Sequence, residues 1–229
     1  IQLEGLELGP YIELVRQYAP QARIVLDCHN AETELQRRAM RIDLPNPSRW
    51  PVALYSGLQI GRLARFEKWA IQQADAILAV SLSDRAQLAK IGRVEEAHIT
   101  IIPNTIDITE YEKRRLPAPD MAYDLVFTGK MDYRPNVDGV LWFARYVWPE
   151  IRRARPQTTW AIVGQRPHPR LDQLRSEAGI TLTGRVPQIQ PYLASASVCI
   201  MPLRIGSGTR LKLIEAMASS IPIVSPTLG

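Results

Sequence analysis

A glycine-rich segment followed by two cations and a carboxylate is the most chemically distinctive part of the chain. Residues 206–209 (Gly-Ser-Gly-Thr) separate the apolar run 198–201 from an apolar helical pattern that contains Arg210, Lys212 and Glu215. Glycine lets the backbone approach a ligand closely, and the first N–H groups of a helix favour an anion such as phosphate. Arg210 and Lys212 could add positive charge, while Glu215 could accept hydrogen bonds from two adjacent hydroxyls, as on a ribose. Taken alone, the segment fits a simple tight turn equally well, because its spacing matches neither GxGxxG nor the P-loop.

The elements around this segment alternate between short apolar runs and longer amphipathic stretches. The pattern predicts strands at residues 22–27, 76–80, 98–102, 124–128, 159–163, 180–182, 198–201 and 222–225. It predicts helices at residues 58–74, 83–90, 137–153, 170–177 and 189–194. Such alternation is typical of parallel sheets with helices on both faces, in which ligands bind beyond the carboxyl ends of the strands.

A polar stretch interrupts the alternation in the middle of the chain. Residues 107–123 are mostly polar and include Pro117 and Pro119, which predicts a linker between two domains near residue 117. The chain begins within a strand pattern and stops just after another strand, so we expect both domains to be incomplete.

Composition narrows the classes of partner. The 229 residues are 46% hydrophobic and carry a formal net charge of +5, which favours anionic partners, although a mildly basic surface without a role is equally compatible. No run of five like charges and no alternation of basic with aromatic residues occurs, which argues against nucleic acid. The two cysteines, Cys28 and Cys199, form no CxxC pair, so no zinc site or disulfide framework is predicted. These features fit a cytoplasmic setting.

Several segments in order resemble the family 4 glycosyltransferases, which are retaining enzymes of the GT-B architecture. Residues 208–218 and 222–225 are similar to their donor-binding signature, and residues 126–136, 162–164 and 183–186 to other loops of their nucleotide-sugar domain. Residues 74–81 and 102–107 resemble the end of their first domain. The resemblance implies an α/β, GT-B type fold with two Rossmann-like parallel-sheet domains. Residues 1–117 would be the C-terminal part of the acceptor domain, and 118–229 the donor domain without its final segment.

The resemblance also implies roles for individual residues. Glu215 would hold the ribose hydroxyls, Lys130 would neutralise the departing diphosphate, and His29 would face the sugar and the acceptor. For His29 the alternative is an ordinary polar loop residue, but its place after a predicted parallel strand favours the site. The predicted catalytic residues are His29 and Lys130. The predicted donor-binding residues are Gly129, Arg134, Gly184, Arg185, Val186, Ser207, Gly208, Thr209, Arg210, Leu211 and Glu215.

The chain departs from the family pattern at three places, one of which is the second cation after Lys130, which appears here as Arg134 followed by Pro135. The family commonly has a second glutamate eight positions before Glu215, where this chain has Ser207, and a glycine where this chain has Thr105. These departures bear on the identity of the donor sugar more than on the reaction class. No D-x-D pair occurs, so no metal cofactor is expected at the diphosphate.

The sequence therefore predicts a retaining transfer of sugar from a nucleotide-sugar donor to a glycan, a lipid-linked or another hydroxyl acceptor, as in polysaccharide biosynthesis. A basic chain also permits peripheral contact with the inner membrane surface. Two alternatives remain open: a nucleotide- or carbohydrate-binding module without catalysis, and a GT-B sugar-phosphate enzyme such as an epimerase. We expect little or no transferase activity from these residues alone.

Overall fold

A computed structural model describes residues 1–112, 122–205 and 210–226, which form two α/β units. The first unit contains Ile1–Asn104, and the second contains Thr105–Arg204 together with the segment that starts at Arg210. The predicted boundary near residue 117 lies outside the described residues and stays a prediction.

The first unit is built on a four-stranded parallel sheet in the order β1-β2-β3-β4. Ile24, Leu26, Ile71 and Leu88 are fully buried between the sheet and its helices, as expected for strands covered on both faces. The strands are β1 (Gln2–Glu4), β2 (Val25–Cys28), β3 (Ala76–Ala79) and β4 (Ile99–Ile101), and the helices are α1 (Tyr11–Tyr18), α2 (Glu32–Asp43), α3 (Trp50–Gln73) and α4 (Leu82–Gly92).

Caps and buried polar groups fix the ends of these helices. Ser81 caps α4 by accepting a hydrogen bond from the backbone N–H of Asp84 at 3.1 Å, a typical helix start. Glu67 of α3 is buried and accepts hydrogen bonds from the backbone N–H groups of Glu32 and Thr33 at the start of α2. A side chain of α3 therefore holds the first turn of α2 in place.

The structure corrects the sequence prediction in this unit. The helix predicted at residues 58–74 begins eight residues earlier, at Trp50. Pro51 is compatible with the first helical turn, where its missing N–H is unneeded. The buried face of the added turns presents only Ala53 and Ser56 to the protein, which leaves little apolar periodicity to detect. Helices α1 and α2 were not predicted.

The second unit has a five-stranded parallel sheet in the order β7-β6-β5-β8-β9. Its strands agree with the predicted runs to within about two residues. They are β5 (Leu125–Thr128), β6 (Trp160–Val163), β7 (Ile180–Gly184), β8 (Val198–Ile200) and β9 (Ile223–Val224). The helices are α5 (Arg134–Tyr146), α6 (Trp148–Ala154), α7 (Gln190–Ser195) and α8 (Leu211–Ala218).

The single helix predicted at residues 137–153 is wrong, because the structure has two helices there, α5 and α6. The break falls at Val147, two residues before Pro149. Proline lacks an N–H and clashes with the carbonyl four residues earlier, so a continuous helix would be disrupted at this point. The helix predicted at residues 170–177 is a 3-10 helix, Pro169–Ser176.

Aromatic packing anchors α5 and α6 to this sheet. The fully buried ring of Trp160 on β6 lies 4.8 Å from the ring of Phe143 and 5.7 Å from that of Trp148, centre to centre. Gly139 of α5 lies against the chain after β8, since a Cβ at this position would come within 2.6 Å of the Pro202 carbonyl oxygen. These contacts set α5, and the loop that precedes it, close to the carboxyl ends of β5 and β8.

Candidate functional site

The second unit has a cavity of about 460 Å³ at the carboxyl ends of its central strands. This is the position at which parallel α/β sheets bind ligands, and the volume falls within the range of small-molecule sites. The lining residues come from the ends of β5 and β6, from the loop after β7 and from α8. They are Thr128, Gly129, Lys130, Val163, Gly164, Gln165, Arg185, Val186, Ile189, Leu211, Lys212 and Glu215.

Lys212 reaches from α8 to the end of β5. Its amine donates a hydrogen bond to the side-chain oxygen of Asn136 and lies 4.8 Å from the centre of the Phe127 ring. A Cβ on Gly129 would come within 2.6 Å of this amine and within 2.8 Å of the Asn136 amide nitrogen. The glycine after β5 therefore leaves the space in which the amine lies.

Burial governs the charge of this amine. It lowers the pKa of Lys212 from 10.5 to about 8, an effect that the Glu215 carboxylate opposes and the Arg210 cation reinforces. Near neutral pH the amine is still mostly protonated. A partly desolvated cation of this kind attracts an anion more strongly than an exposed lysine does, because less water screens it.

Glu215 lies one turn after Leu211 on α8 and lines the same cavity. Burial raises the pKa of its carboxyl group, whereas a hydrogen bond from the Tyr111 hydroxyl and the Lys212 charge act in the opposite direction. Tyr111 is itself only 5% exposed and ends the 3-10 helix Ile108–Tyr111. The tyrosine thus holds one side of the carboxylate and leaves it oxygen lone pairs for hydroxyl groups of a ligand.

The loops after β5 and β6 touch each other at the cavity wall. A Cβ on Gly164 would lie 1.7 Å from the carbonyl oxygen of Gly129, so only glycine permits this approach. The carbonyl of Lys130 accepts a hydrogen bond from the Asn136 side chain at 2.8 Å. Asn136 is 2% exposed, and it therefore links the β5 loop to the Lys212 amine.

Lys130 presents the second amine at the cavity. Its side chain is about half exposed, and its amine lies 3.7 Å from the carboxylate of Asp132. The same carboxylate lies 3.9 Å from the guanidinium of Arg166. Lys130 is therefore more hydrated than Lys212 and its charge is partly balanced, so the two lysines contribute differently to the potential in the cavity.

The predicted site residues divide into three groups. Gly129, Lys130, Arg185, Val186, Leu211 and Glu215 line the cavity, and Gly184 ends β7 beside it with a left-handed φ of 71°. Arg134 begins α5 and Arg210 precedes α8, but neither lines the cavity. Ser207, Gly208 and Thr209 lie outside the described residues, so their predicted contacts stay predictions.

His29 belongs to the first unit, where it directly follows β2 and is exposed. The next side chain, Asn30, donates a hydrogen bond to Glu32 at 3.2 Å. The position after a parallel strand agrees with the sequence prediction, whereas the role of His29 stays a prediction.

Three residues at the cavity, Lys212, Asn136 and Tyr111, were not among the predicted site residues. Lys212 was considered only as a source of charge, and Asn136 and Tyr111 were not considered. The signal for Lys212 was its position three residues before Glu215, which places both side chains on the same face of a helix. Asn136 and Tyr111 carried no such local signal, because their partners are far away in sequence.

Within residues 1–112, 122–205 and 210–226, no group of three His, Cys, Asp or Glu side chains lies close enough to hold a metal ion. Among those same residues, no helix is both long and apolar enough to cross a membrane. The absence of a metal cofactor remains a prediction.

Two family models match the chain, one before and one after residues 111–121. Residues 11–110 match the family described as Glycosyltransferase Family 4, and residues 122–229 match the family described as Glycosyl transferases group 1. Together the two matches span nearly the whole chain in the order that the sequence analysis predicted.

A glycogen synthase from Mycobacterium tuberculosis is 25% identical to the chain over 187 residues. The aligned region covers 76% of this chain but only 44% of the synthase. The chain thus spans less than half the length of this relative.

Solved structures of glycosyltransferases share the fold. Anabaena HepE in complex with UDP has a TM-score of 0.62 at 13% identity, covering 98% of this chain and 59% of HepE. TarM has a TM-score of 0.65 at 16% identity, and the match covers 98% of this chain and 40% of TarM. A UDP-forming trehalose-phosphate synthase from Burkholderia xenovorans has a TM-score of 0.62 at 11% identity, and the match covers 98% of this chain and 58% of the synthase. The predicted GT-B fold class, with two parallel-sheet α/β domains, is confirmed.

Proposed function

Because the chain belongs to the family 4, group 1 glycosyltransferases, we propose that its protein transfers a sugar from a nucleotide sugar to an acceptor hydroxyl. One observation carries the proposal. The amine of Lys212 and the carboxylate of Glu215 line one cavity at the carboxyl ends of parallel strands, where a nucleotide needs a cation for its phosphates and an acceptor for its ribose hydroxyls.

In the proposed complex each end of the nucleotide meets a different group. Glu215, oriented by Tyr111, accepts hydrogen bonds from the ribose hydroxyls. Lys212 lies deeper and Lys130 lies at the opening, and both neutralise the diphosphate. Arg185, Val186 and Ile189, in the loop after β7, line the remaining wall and contact the base.

The chemical step breaks the bond between the anomeric carbon and the diphosphate oxygen and forms one to the acceptor oxygen. Negative charge grows on the departing diphosphate, so fixed cations stabilise the transition state more than the ground state. We propose retention of configuration, in which the acceptor attacks from the face that the diphosphate leaves and a diphosphate oxygen takes its proton. No side-chain nucleophile and no metal is part of this proposal.

The similar proteins suggest which substrates to test first. HepE was crystallised with UDP and with UDP-glucose, so uridine diphosphate is the first candidate donor moiety. The glycogen synthase similarity favours a glycan acceptor and polysaccharide synthesis, while a lipid-linked acceptor fits the basic chain. We propose a cytoplasmic setting, where nucleotide sugars are made.

Calorimetric titration with UDP, GDP and ADP tests the donor site directly. We expect one nucleotide to bind, and Glu215→Gln to weaken its binding about tenfold or more because an amide accepts fewer hydrogen bonds than a carboxylate. Glu177→Gln is the matched control, since Glu177 is exposed in the same unit and lies outside the cavity. Equal losses in both variants, or no binding of any nucleotide, would contradict the proposal.

Turnover by the whole protein that contains these residues separates transfer from the alternatives. In a transferase, His29→Ala is expected to lower sugar transfer while nucleotide affinity stays unchanged. A binding module would hold the nucleotide sugar without consuming it, and an epimerase would change the sugar without requiring an acceptor. Product analysis with and without a glycan acceptor distinguishes these outcomes.

A further inference from the structure

An apolar patch is exposed on the outer face of α3 in the first unit. It consists of Trp50, Leu54, Tyr55 and Leu58, whose side chains are 59%, 68%, 61% and 66% exposed. Trp50, Leu54 and Leu58 are spaced four residues apart and so lie along one side of the helix. Ala53 and Ser56, on the opposite side, are buried. Single exposed apolar residues are common, but a continuous patch of this kind marks an interaction surface.

The patch is carried on a projecting helical hairpin. Three residues separate the carboxyl end of β2 from the start of α2, and two residues separate the end of α3 from the amino end of β3. Because β2 and β3 are parallel, α3 returns from beyond the carboxyl edge of the sheet to its amino edge. Its 24 residues extend for about 36 Å, whereas a four-residue strand is about 13 Å long. The first half of α3 therefore projects past the edge at which a substrate of this unit would bind.

Arginines surround the apolar patch. Residues 32–73, which span α2 and α3, contain six arginines, one lysine and four acidic residues, so the hairpin has a net charge of +3. Arg37 and Arg38 pair with Glu34, and Arg49 pairs with Asp43. The other three, Arg41, Arg62 and Arg65, are exposed and have no carboxylate partner within the described part of the chain.

Arg62 and Arg65 lie on the same face of α3 as the patch, one and two turns after Leu58. Two copies of the hairpin would bring these like charges together, which opposes self-association. A surface with leucines, a tryptophan, a tyrosine and flanking arginines instead complements an anionic lipid interface, which accepts apolar side chains and supplies phosphates. Tyr55 favours this depth because one end of its ring is polar, whereas the indole N–H of Trp50 donates to the Leu44 carbonyl at 3.1 Å and the rest of its ring supplies apolar surface.

We propose that the α2–α3 hairpin docks on an anionic membrane, with the apolar patch among the lipid headgroups and Arg62 and Arg65 on their phosphates. Docking would hold the carboxyl edge of the first sheet near the bilayer surface. The inference goes beyond the proposed sugar transfer and is independent of it, since lipid binding requires no nucleotide sugar.

Vesicle sedimentation tests the proposal. Vesicles of phosphatidylglycerol and phosphatidylcholine in equal parts are expected to bind the protein, and vesicles of phosphatidylcholine alone to bind it much less. The double variant Leu54→Ser and Leu58→Ser should bind at least tenfold more weakly. Leu82→Ser is the matched control, because Leu82 is also 68% exposed but lies on α4. Equal binding by the double variant and this control would overturn the proposal.

Charge substitution gives a second, separate readout. Arg62→Gln and Arg65→Gln are each expected to lower binding about fivefold at low salt and to reduce its salt dependence. Arg145→Gln and Arg170→Gln, at exposed arginines of the second unit, should leave binding unchanged. The proposal is overturned if neither vesicle type binds. It is also overturned if sedimentation equilibrium shows a dimer that the leucine variant abolishes, or if an oligonucleotide binds the patch in place of lipid.

Discussion

The amine of Lys212 donates a hydrogen bond to the side-chain oxygen of Asn136 at 2.5 Å, which joins α8 to α5 inside the cavity. The same Asn136 donates through its nitrogen to the carbonyl of Lys130. One buried amide therefore positions both the deep cation and the loop that carries the second cation. An amine that is already in place loses little freedom when an anion arrives, and this is the condition for effective electrostatic stabilisation.

Lys212→Met tests the value of this amine. Methionine keeps much of the length and removes the charge, so we expect nucleoside diphosphate affinity to fall about 10- to 100-fold. Without nucleotide, the variant should stay within about 1 kcal/mol of the parent in stability, because relief from burying the charged amine is offset by the hydrogen bond that the buried Asn136 oxygen loses. Calorimetry and thermal unfolding measure the two effects, with the exposed Lys90→Met as control. A variant that loses stability along with binding would argue for a purely structural lysine.

Nucleotide binding is expected to weaken as the pH rises through about 8, the pKa to which burial lowers Lys212. Below that value the amine is charged and attracts the diphosphate; above it the amine is neutral. The stability of the protein without nucleotide responds to pH in the opposite direction from nucleotide affinity. Between about 8 and 10.5 the unfolded chain binds the proton that the folded chain has lost, so this group's contribution to stability rises with pH. Titrations across this window should show the loss of affinity in the parent and not in Lys212→Met.

Tyr111→Phe removes only the hydroxyl that orients Glu215. We expect about 3- to 10-fold weaker nucleotide binding, equivalent to about 0.7–1.4 kcal/mol, because Tyr111 acts on the nucleotide only through Glu215. Burial already raises the pKa of Glu215, and loss of the Tyr111 hydrogen bond raises it further. Binding that depends on the carboxylate is lost as the pH falls through this pKa. In a plot of nucleotide affinity against pH, the loss of affinity at low pH should therefore begin at a higher pH in the variant.

The deoxyribose form of the nucleotide provides an internal check on this assignment. If Tyr111 acts through Glu215 on the ribose, the substitution should matter much less for the deoxyribose nucleotide. Tyr146→Phe, at an exposed tyrosine of α5, is the control and should change neither ligand's binding. If the low-pH loss of affinity occurs at the same pH in Tyr111→Phe and in the parent, the positioning role of Tyr111 is contradicted.

The sequence predicted the features of the site that depend on local pattern. Apolar runs predicted the strands of the second sheet, and the resemblance to the family 4 glycosyltransferases implied site roles for Lys130, Arg185 and Glu215, which all line the cavity. The helix predicted at residues 83–90 is α4, whose start Ser81 caps. In each case the cause acts within a few residues of the signal, which is why the sequence alone sufficed.

The features that the sequence could not predict depend on distant partners. The depth of Lys212 follows from the missing side chain at Gly129 and from Asn136, which is 76 residues away. Tyr111 comes from a polar stretch that the sequence analysis assigned only to a linker, yet its hydroxyl reaches Glu215. The break between α5 and α6 was missed because the apolar spacing continues through Pro149 while the backbone does not.

Gly164→Ala tests whether the contact between the β5 and β6 loops shapes the cavity. The added Cβ would overlap the Gly129 carbonyl oxygen at 1.7 Å, so the backbone after β5 must move and carry Lys130 with it. We expect roughly 1–3 kcal/mol of lost stability and a loss of nucleotide affinity. Gly61→Ala is the matched control, since a Cβ there meets no atom within 4 Å and alanine favours the helix by about 0.5–1 kcal/mol. Chemical denaturation and calorimetry should therefore give opposite signs for stability in the two variants, and unchanged affinity only for Gly61→Ala. If Gly164→Ala binds nucleotide like the parent, the close approach of the two loops is not what forms the site.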